Sequence, residues 1–400
     1  MREPPGEIDF DSALGRQVVE LHVWAVSEGL RGVAADALFD GFCQRLVIAG
    51  IPLWRGYVAM NTLHPQWGGY SYTWRRDLNA IEPEQFERAV YHGRSWFDSP
   101  FAYLLSELNA FSEEADPWRH LRRRLAGPEA KLDFPILEEF VAAGATDYFA
   151  EIVRFGADGD PSRGIGVGYS FTSDRPQGFR EDDLQLLKAV LPALSLALMT
   201  HAGHTIASGL LAAYLGGDAG RRVHSGAVDR GSVESIRAVL WYADIRSFTA
   251  IADTTPGQQV IELLNEVFET ITGPLRRGGG QVLKFMGDGL LAIFPFDEAT
   301  KQTTCLQALD AAAEAMQELD RLNAVRAEAG RPVAAVDVAL HLGEVLYGNI
   351  GAVDRLDFTV IGPAVNEASR IETLCEPLGR KVLVSAEFAA AAGSYNGLHP

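Results

Sequence analysis

Hydrophobic positions in the first 50 residues recur at helical spacing, and the stretches that follow alternate as strands do. Residues 13–49 read as two amphipathic helices, the second carrying Leu38, Phe42, Leu46 and Ala49 on one stripe, with Gly50 just beyond it as a stop. From Pro52 the texture changes. Residues 53–63 and 70–75 read as strands, joined by the loop His64-Pro65-Gln66-Trp67-Gly68-Gly69. A helix over 136–143 and strands over 148–155 and 164–172 follow, and a long helix begins near Glu181. In that helix Leu184, Leu187, Leu191, Leu194 and Leu198 keep the three-four spacing of a seam that can pair with its copy in a second chain or, as the alternative, pack on its own domain. His201, Thr205 and Ser208 continue the register with polar groups, and Pro192, which removes one helical hydrogen bond, predicts a kink.

Gly216-Gly217-Asp218-Ala219-Gly220 then reads as a hinge. Beyond it strands and helices alternate: strand 237–243, helix 257–272, hairpin 281–294, helix 303–327, strand 334–341, a hairpin around Gly348 and helix 363–375. This order predicts a two-layer α/β domain. In the 281–294 hairpin Gly287-Asp288-Gly289 is the turn, and Val282, Lys284 and Met286 share one face, which puts Lys284 near Asp288. Asp244 closes the apolar run 238–243, and two aspartates at strand ends can hold hard cations. Pro363 suits a first helical turn, and Asn366 and Arg370, four apart, share one helix face.

Composition narrows the class. The 400 residues, 47% hydrophobic and 22% charged, describe a soluble globular protein of two or three domains. A formal charge of −18 argues against nucleic acid or an anionic membrane as partner, since both would repel such a surface. Cys43, Cys305 and Cys375 are far apart and lack metal-ligand spacing, so they read as reduced core residues. No basic leader opens the chain, and the longest apolar candidate, 189–199, is shorter than a membrane span and interrupted by Pro192, which predicts a cytoplasmic protein. Trp24, Trp54, Trp67, Trp74, Trp96 and Trp118 crowd the first 120 residues, either lining a ligand pocket or filling a core. His64 reads as an exposed loop histidine, and His120-Leu121-Arg122-Arg123-Arg124 as a solvated helix face.

Three motifs make the second half specific. Ala243-Asp244-Ile245-Arg246-Ser247-Phe248-Thr249, then Lys284-Phe285-Met286-Gly287-Asp288-Gly289, then 358–370, FTVIGPAVNEASR, together resemble the catalytic domain of class III nucleotidyl cyclases. The resemblance covers about the last two-fifths of the chain. More loosely, element order and the stretch 166–190 resemble a GAF-type sensory domain. The implied organisation is an N-terminal segment 1–25, a GAF-like domain 26–200, a helical linker and hinge 201–235, and a ferredoxin-like cyclase domain 236–400.

The resemblance implies a reaction and a set of roles. ATP would be converted to 3′,5′-cyclic AMP and pyrophosphate, with two Mg²⁺ or Mn²⁺ ions per site held by Asp244, Ile245 and Asp288. Amides of the stretch Ile245, Arg246, Ser247, Phe248 and Thr249 would cradle the β- and γ-phosphates, Asn366 would orient the ribose, and Arg370 would stabilise the α-phosphoryl charge. Lys284 matches the base-selecting lysine of adenine-specific members, and its partner position falls on Thr359, as in a subgroup similar to bicarbonate-responsive enzymes. Each site would be shared by two chains of a homodimer, the aspartates from one and Lys284, Thr359, Asn366 and Arg370 from the other. An unidentified small molecule at the N-terminal domain would regulate it.

The family's domain ordinarily continues into a strand with a basic residue for the triphosphate; Arg380 and Lys381 do not fill that place. A catalytically weak or inactive nucleotide-binding signalling module is therefore the alternative. A diguanylate cyclase would carry a G-G-D/E-E-F signature where this chain has Met286-Gly287-Asp288-Gly289.

Overall fold

The computed structural model describes residues 9–78, 80–109, 118–155 and 166–395 and divides into two compact units, Met1–Leu210 and Leu211–Pro400. Gly164 and Ile165 of an expected strand, the tail from Asn396 and the side chain of Trp118 lie outside what is described.

In the first unit the elements are α1 (Ala13–Leu30), α2 (Ala35–Ile48), β1 (Leu53–Asn61), β2 (Trp67–Arg75), β3 (Ala80–Glu87), α3 (Arg94–Phe97), α4 (Pro100–Asn109), β4 (Trp118–Arg124), α5 (Pro135–Ala142), β5 (Asp147–Arg154), β6 (Gly166–Ser173) and α6 (Glu181–Leu215). The strands form an antiparallel sheet in the order β3-β2-β1-β6-β5-β4. Because side chains alternate along a strand, Val58 and Met60 of β1 and Tyr169 and Phe171 of β6 share a core with Phe39 and Phe42 of α2 and with α6. On the other face Tyr148, Ala150 and Ile152 pack against Leu104 of α4 and Leu137 and Phe140 of α5. Helices thus cover the sheet on both sides, which is why β5 is buried along nearly its whole length.

Several expectations need correcting here. Of the expected N-terminal segment 1–25, the described part from residue 9 includes Val18 and Leu21 of α1, which belong to the core of this unit. The run His120–Arg124 lies on strand β4, not on a solvated helix. Arg122 and Arg124 both donate to the fully buried carboxylate of Asp147, at 2.9 and 3.1 Å, and Arg123 binds Asp133. A charge run read locally as surface is consumed in burying an acid, whose partners arrive only through strand pairing. His64 is half-buried, and its Nδ1 accepts the amides of Gln66 and Trp67, which fixes the β1–β2 loop.

Helix α6 runs unbroken through Pro192. Its seam Leu184, Leu187, Leu191, Leu194 and Leu198 is spent inside its own unit, every one of them buried, so it is not free to pair with a second copy. The helix is long and apolar enough by length and composition to cross a membrane, contrary to the shorter stretch expected, and 56% of its apolar window is buried in the protein. The tryptophans divide: Trp74 is core, Trp24 lies under the Arg45 guanidinium at 4.2 Å, and Trp96 lines a cavity.

The second unit contains α7 (Gly217–His224), β7 (Val233–Ile245), α8 (Phe248–Thr254), α9 (Gly257–Arg277), β8 (Gln281–Met286), β9 (Gly289–Pro295), α10 (Lys301–Glu328), β10 (Val336–Gly351), β11 (Leu356–Ile361), α11 (Pro363–Glu372), β12 (Val382–Val384) and α12 (Ala386–Ala392). Its sheet runs β11-β10-β7-β9-β8, with β12 added parallel to β10. Helical crossovers join β7 to β8 and β9 to β10, so β10-β7-β9-β8 has the ferredoxin-like order. Val239 and Trp241 face α9 and α10 in one core; Leu240 and Ile293 face α7 and α11 in another.

Two local expectations fail in this unit. The glycine-rich hinge is the helix α7, whose Ala219 is buried against the sheet. Gly348 makes no turn: β10 continues through it to Gly351, and the chain reverses over 352–355. A Cβ at Gly348 would meet the Ser232 carbonyl oxygen at 2.1 Å, so this glycine serves the close approach of β7 and not a reversal.

Candidate functional site

Strand β7 ends in the apolar run that buries Val239, Trp241 and Ala243, and the first acidic side chain beyond it is Asp244, paired across the sheet with Gly289. Asp288 occupies the two-residue turn before Gly289, where Gly287 takes a φ of +68°. The β7–β9 register therefore brings the Asp288 carboxyl to the Asp244 carboxyl. Burial, and then the Asp288 charge, push Asp244 up to about 6. The Ile245 amide donates to Asp244 Oδ1 at 3.0 Å.

Two further acids join this corner that the sequence reading did not single out. Asp337 lies opposite Asp244 on β10, is buried, and accepts from Arg246 Nε at 2.9 Å and Nη2 at 2.5 Å. Glu372, at the end of α11, is lifted to about 7 by burial and then by Asp244, Asp337 and Asp288. The charge interrupting Val336-Asp337-Val338 was a signal for the first; only the packing of α11 reveals the second.

The expected phosphate cradle is narrower than its five residues. Ile245 N–H is bound to Asp244, and Arg246 N–H donates to the Ala335 carbonyl at 2.8 Å, while the Arg246 side chain is held by Asp337. Ser247, Phe248 and Thr249 remain at the entry to α8. Ser247 is the one non-glycine residue of positive φ among the described residues, at φ 54° and ψ 32°. Such a conformation costs about 1 kcal/mol or more and points to a backbone held open at a functional turn.

Lys284 is on β8, and its Nζ donates to Asp357 Oδ2 on β11 at 3.1 Å, not to Asp288. Two residues along β11, Thr359 is buried, and among the described residues its hydroxyl has no hydrogen-bond partner. Asn366 and Arg370 both point outward from α11, opposite its buried Ala364 and Ala368, and Arg370 has only a loose pairing with Glu367 at 3.7 Å. Among the described residues no hydrogen bond or ion pair joins Asn366 or Arg370 to Asp244, Asp288, Lys284 or Thr359. One chain thus gathers the carboxylate pair in one place and leaves the ribose and phosphoryl residues facing away from its own core.

Residues 232–395 match the family model "Adenylate and Guanylate cyclase catalytic domain". The second unit is a class III cyclase catalytic domain. Over 162 residues the chain is 32% identical to an adenylate cyclase of Anabaena cylindrica, covering 40% of this chain and 31% of that one. Over 155 residues it is 29% identical to adenylate cyclase 2 of Rhizobium meliloti, covering 37% and 40%. The chain thus spans about a third of the length of these relatives. Among solved structures, a bacterial light-regulated adenylyl cyclase is 27% identical, with a TM-score of 0.36 over 39% of this chain and 78% of that one.

Class III cyclase domains generally use divalent metal ions, and the donor set of this cyclase domain fits them. Asp244 and Asp288 offer carboxylate oxygens without sulfur or imidazole, the preference of Mg²⁺ and Mn²⁺. Among the described residues no cluster of three or more candidate side-chain ligands occurs, so main-chain, substrate and water oxygens would complete the shell.

The raised pKa values carry a pH signature. Asp244, about 6 against an ordinary 3.8, and Glu372, about 7 against 4.5, bind protons more tightly in the folded cyclase domain than in the unfolded chain. Between about pH 4 and pH 7 the folded state holds more protons, so this contribution to stability falls as pH rises. Melting temperatures in EDTA should therefore decline through that window in wild type relative to Asp244→Asn. Mn²⁺ should restore stability at pH 7.5 more than at pH 5. A pH-independent difference between the two proteins would contradict the assignment.

Proposed function

We propose that the protein is an adenylate cyclase, forming 3′,5′-cyclic AMP and pyrophosphate from ATP, with an N-terminal unit that senses a small molecule. The observation that carries this reading is the β8–β9 hairpin, which presents the Asp288 carboxylate at its tip and a lysine on its outer strand, with Asp244 against the tip. In the reaction the ribose 3′-oxygen attacks the α-phosphorus and the bond from that phosphorus to the bridging oxygen breaks. When bound, two Mg²⁺ or Mn²⁺ ions would lower the pKa of the 3′-hydroxyl and neutralise the triphosphate. Asp244 and Asp288 hold that charge, the amides at Ser247 to Thr249 receive the β- and γ-phosphates, Asn366 orients the ribose, and Arg370 meets the α-phosphoryl oxygens.

Adenine preference rests on Lys284 and Thr359. The buried Thr359 hydroxyl lacks a partner, an arrangement costing about 1–3 kcal/mol that an adenine amino group would relieve by donating to it. Asp357, two residues from Thr359 on β11, holds the Lys284 ammonium that would serve the ring nitrogen. The outward Asn366 and Arg370 suit a site completed by a second chain, in a C₂ homodimer with two equivalent sites.

The deciding experiment is incubation of the purified protein with ATP or GTP and Mg²⁺ or Mn²⁺, with chromatography for the cyclic product. Absence of product from both nucleotides would leave the non-catalytic signalling module as the better reading. ATP should be preferred, and equal kcat/KM for GTP would remove the adenine assignment. Lys284→Glu should lower kcat/KM for ATP about 10²-fold, because it places an acceptor beside an acceptor nitrogen and a carboxylate beside Asp357.

A further inference from the structure

Strand β1 turns Arg55 and Tyr57 toward the face of its sheet covered by α4 and α5, and there a cavity of about 380 Å³ lies over the Arg55 guanidinium. The guanidinium lies over aromatic rings, 5.1 Å from the centroids of both Tyr57 and Phe140. Its hydrogen bonds are long and neutral: 3.5 Å to Ser170 Oγ and 3.4 Å to Thr73 Oγ1. Four other arginines of this sheet have carboxylates. Arg75 has Asp77, Arg122 and Arg124 have Asp147, and Arg123 has Asp133. Among the described residues none is ion-paired with Arg55, and burial lowers its pKa.

A partly buried cation without a counter-ion is costly unless something anionic completes it. The planar fork of arginine matches a carboxylate, and Tyr57, Phe101 and Phe140 wall the same cavity. A second cavity of about 220 Å³ shares Tyr57 and Phe101 and adds Phe86, Tyr91 and Trp96, giving room for an apolar body. Asp98 and Glu139, both exposed, line the Arg55 cavity and would repel a multiply charged anion such as a phosphate ester. We propose that this cavity in the first unit binds a small aromatic monocarboxylate, its carboxylate on Arg55 and its ring among Tyr57, Phe101 and Phe140.

The test is calorimetric titration of the full-length chain, without nucleotide, with benzoate, phenylacetate and cinnamate, with their neutral amides, and with inorganic phosphate. Because binding is read directly, the result is independent of whether the second unit cyclises ATP. At least one acid should bind with one site per chain, and its amide should bind about ten- to a hundredfold more weakly, as should the acid to Arg55→Met. Arg55→Lys, which keeps the charge and loses the fork, should fall between. Unliganded Arg55→Met should melt at or above wild type, because a residue kept for a ligand strains the empty site. Binding by none of the three acids, equal binding to Arg55→Met, equal binding of acid and amide, or binding of phosphate alone would each overturn the proposal.

Discussion

Asp244→Asn and Asp288→Asn are each expected to lower the rate of cyclic nucleotide formation by ~10²–10³-fold or more while leaving the second unit folded. The two carboxylates meet because β7 and β9 pair with Asp244 opposite Gly289, and on the proposed reading both serve a cation and not packing. Asp244 is half-buried, and burial together with Asp288 holds its pKa at about 6, so the pair is strained when nothing positive lies between them. Removing one charge relieves that strain, and the variants should melt no lower than wild type near pH 7.5 in EDTA. Their turnover should also stop responding to Mn²⁺ concentration in the range that saturates wild type. Product assays, calorimetric melting and a metal titration on the same preparations separate the possibilities. Near-native turnover in either variant would remove the metal assignment, and a collapsed melting temperature would recast the aspartates as structural.

Mixing inactive Asp244→Ala chains with inactive Arg370→Ala chains should restore activity to about a quarter of wild type. Random exchange makes about half the dimers mixed, and in each of these one of two sites draws both intact sets. The argument begins with α11, where Ala364 and Ala368 are buried and Asn366 and Arg370 face outward. An arginine that is 78% exposed, with only Glu367 at 3.7 Å among the described residues, contributes little to its own fold. On the proposed reading its role lies across a dimer, where a second copy supplies the aspartates. A mixture that stays inactive, with exchange verified by differently tagged chains, would show that each site is built within one chain.

Much of the candidate site was legible because its signals are local. Gly287-Asp288-Gly289 between two apolar alternations announces a hairpin tip, and Asp244 after a buried run announces a strand end. The Asn366/Arg370 pairing follows from helical spacing, and α11 presents both on one outward face. What stayed hidden depends on neighbours distant in sequence. Glu372 joins the acidic corner only because α11 packs across β7 and β10, and Lys284 meets Asp357 across 73 residues. Arg246 was expected to serve phosphate through its amide, yet the sheet had committed that amide to Ala335.

The sequence by itself determined the alternation of elements in the second unit, the family to which residues 232–395 belong and the identity of the acids, because periodicity, turn chemistry and motif spacing are properties of short stretches. Only the tertiary structure decided what each charge and each apolar stripe is used for. Leucines at coiled-coil spacing in α6 became core because a sheet face stood ready to cover them, and Arg122 and Arg124 became the partners of a buried Asp147. Arg55, unremarkable in sequence, was left beside a cavity with no ion-pair partner among the described residues. The physical reason is common to all three: burial and electrostatic partnership are set by strand register and helix packing, and neither is written in any window short enough to read along the chain.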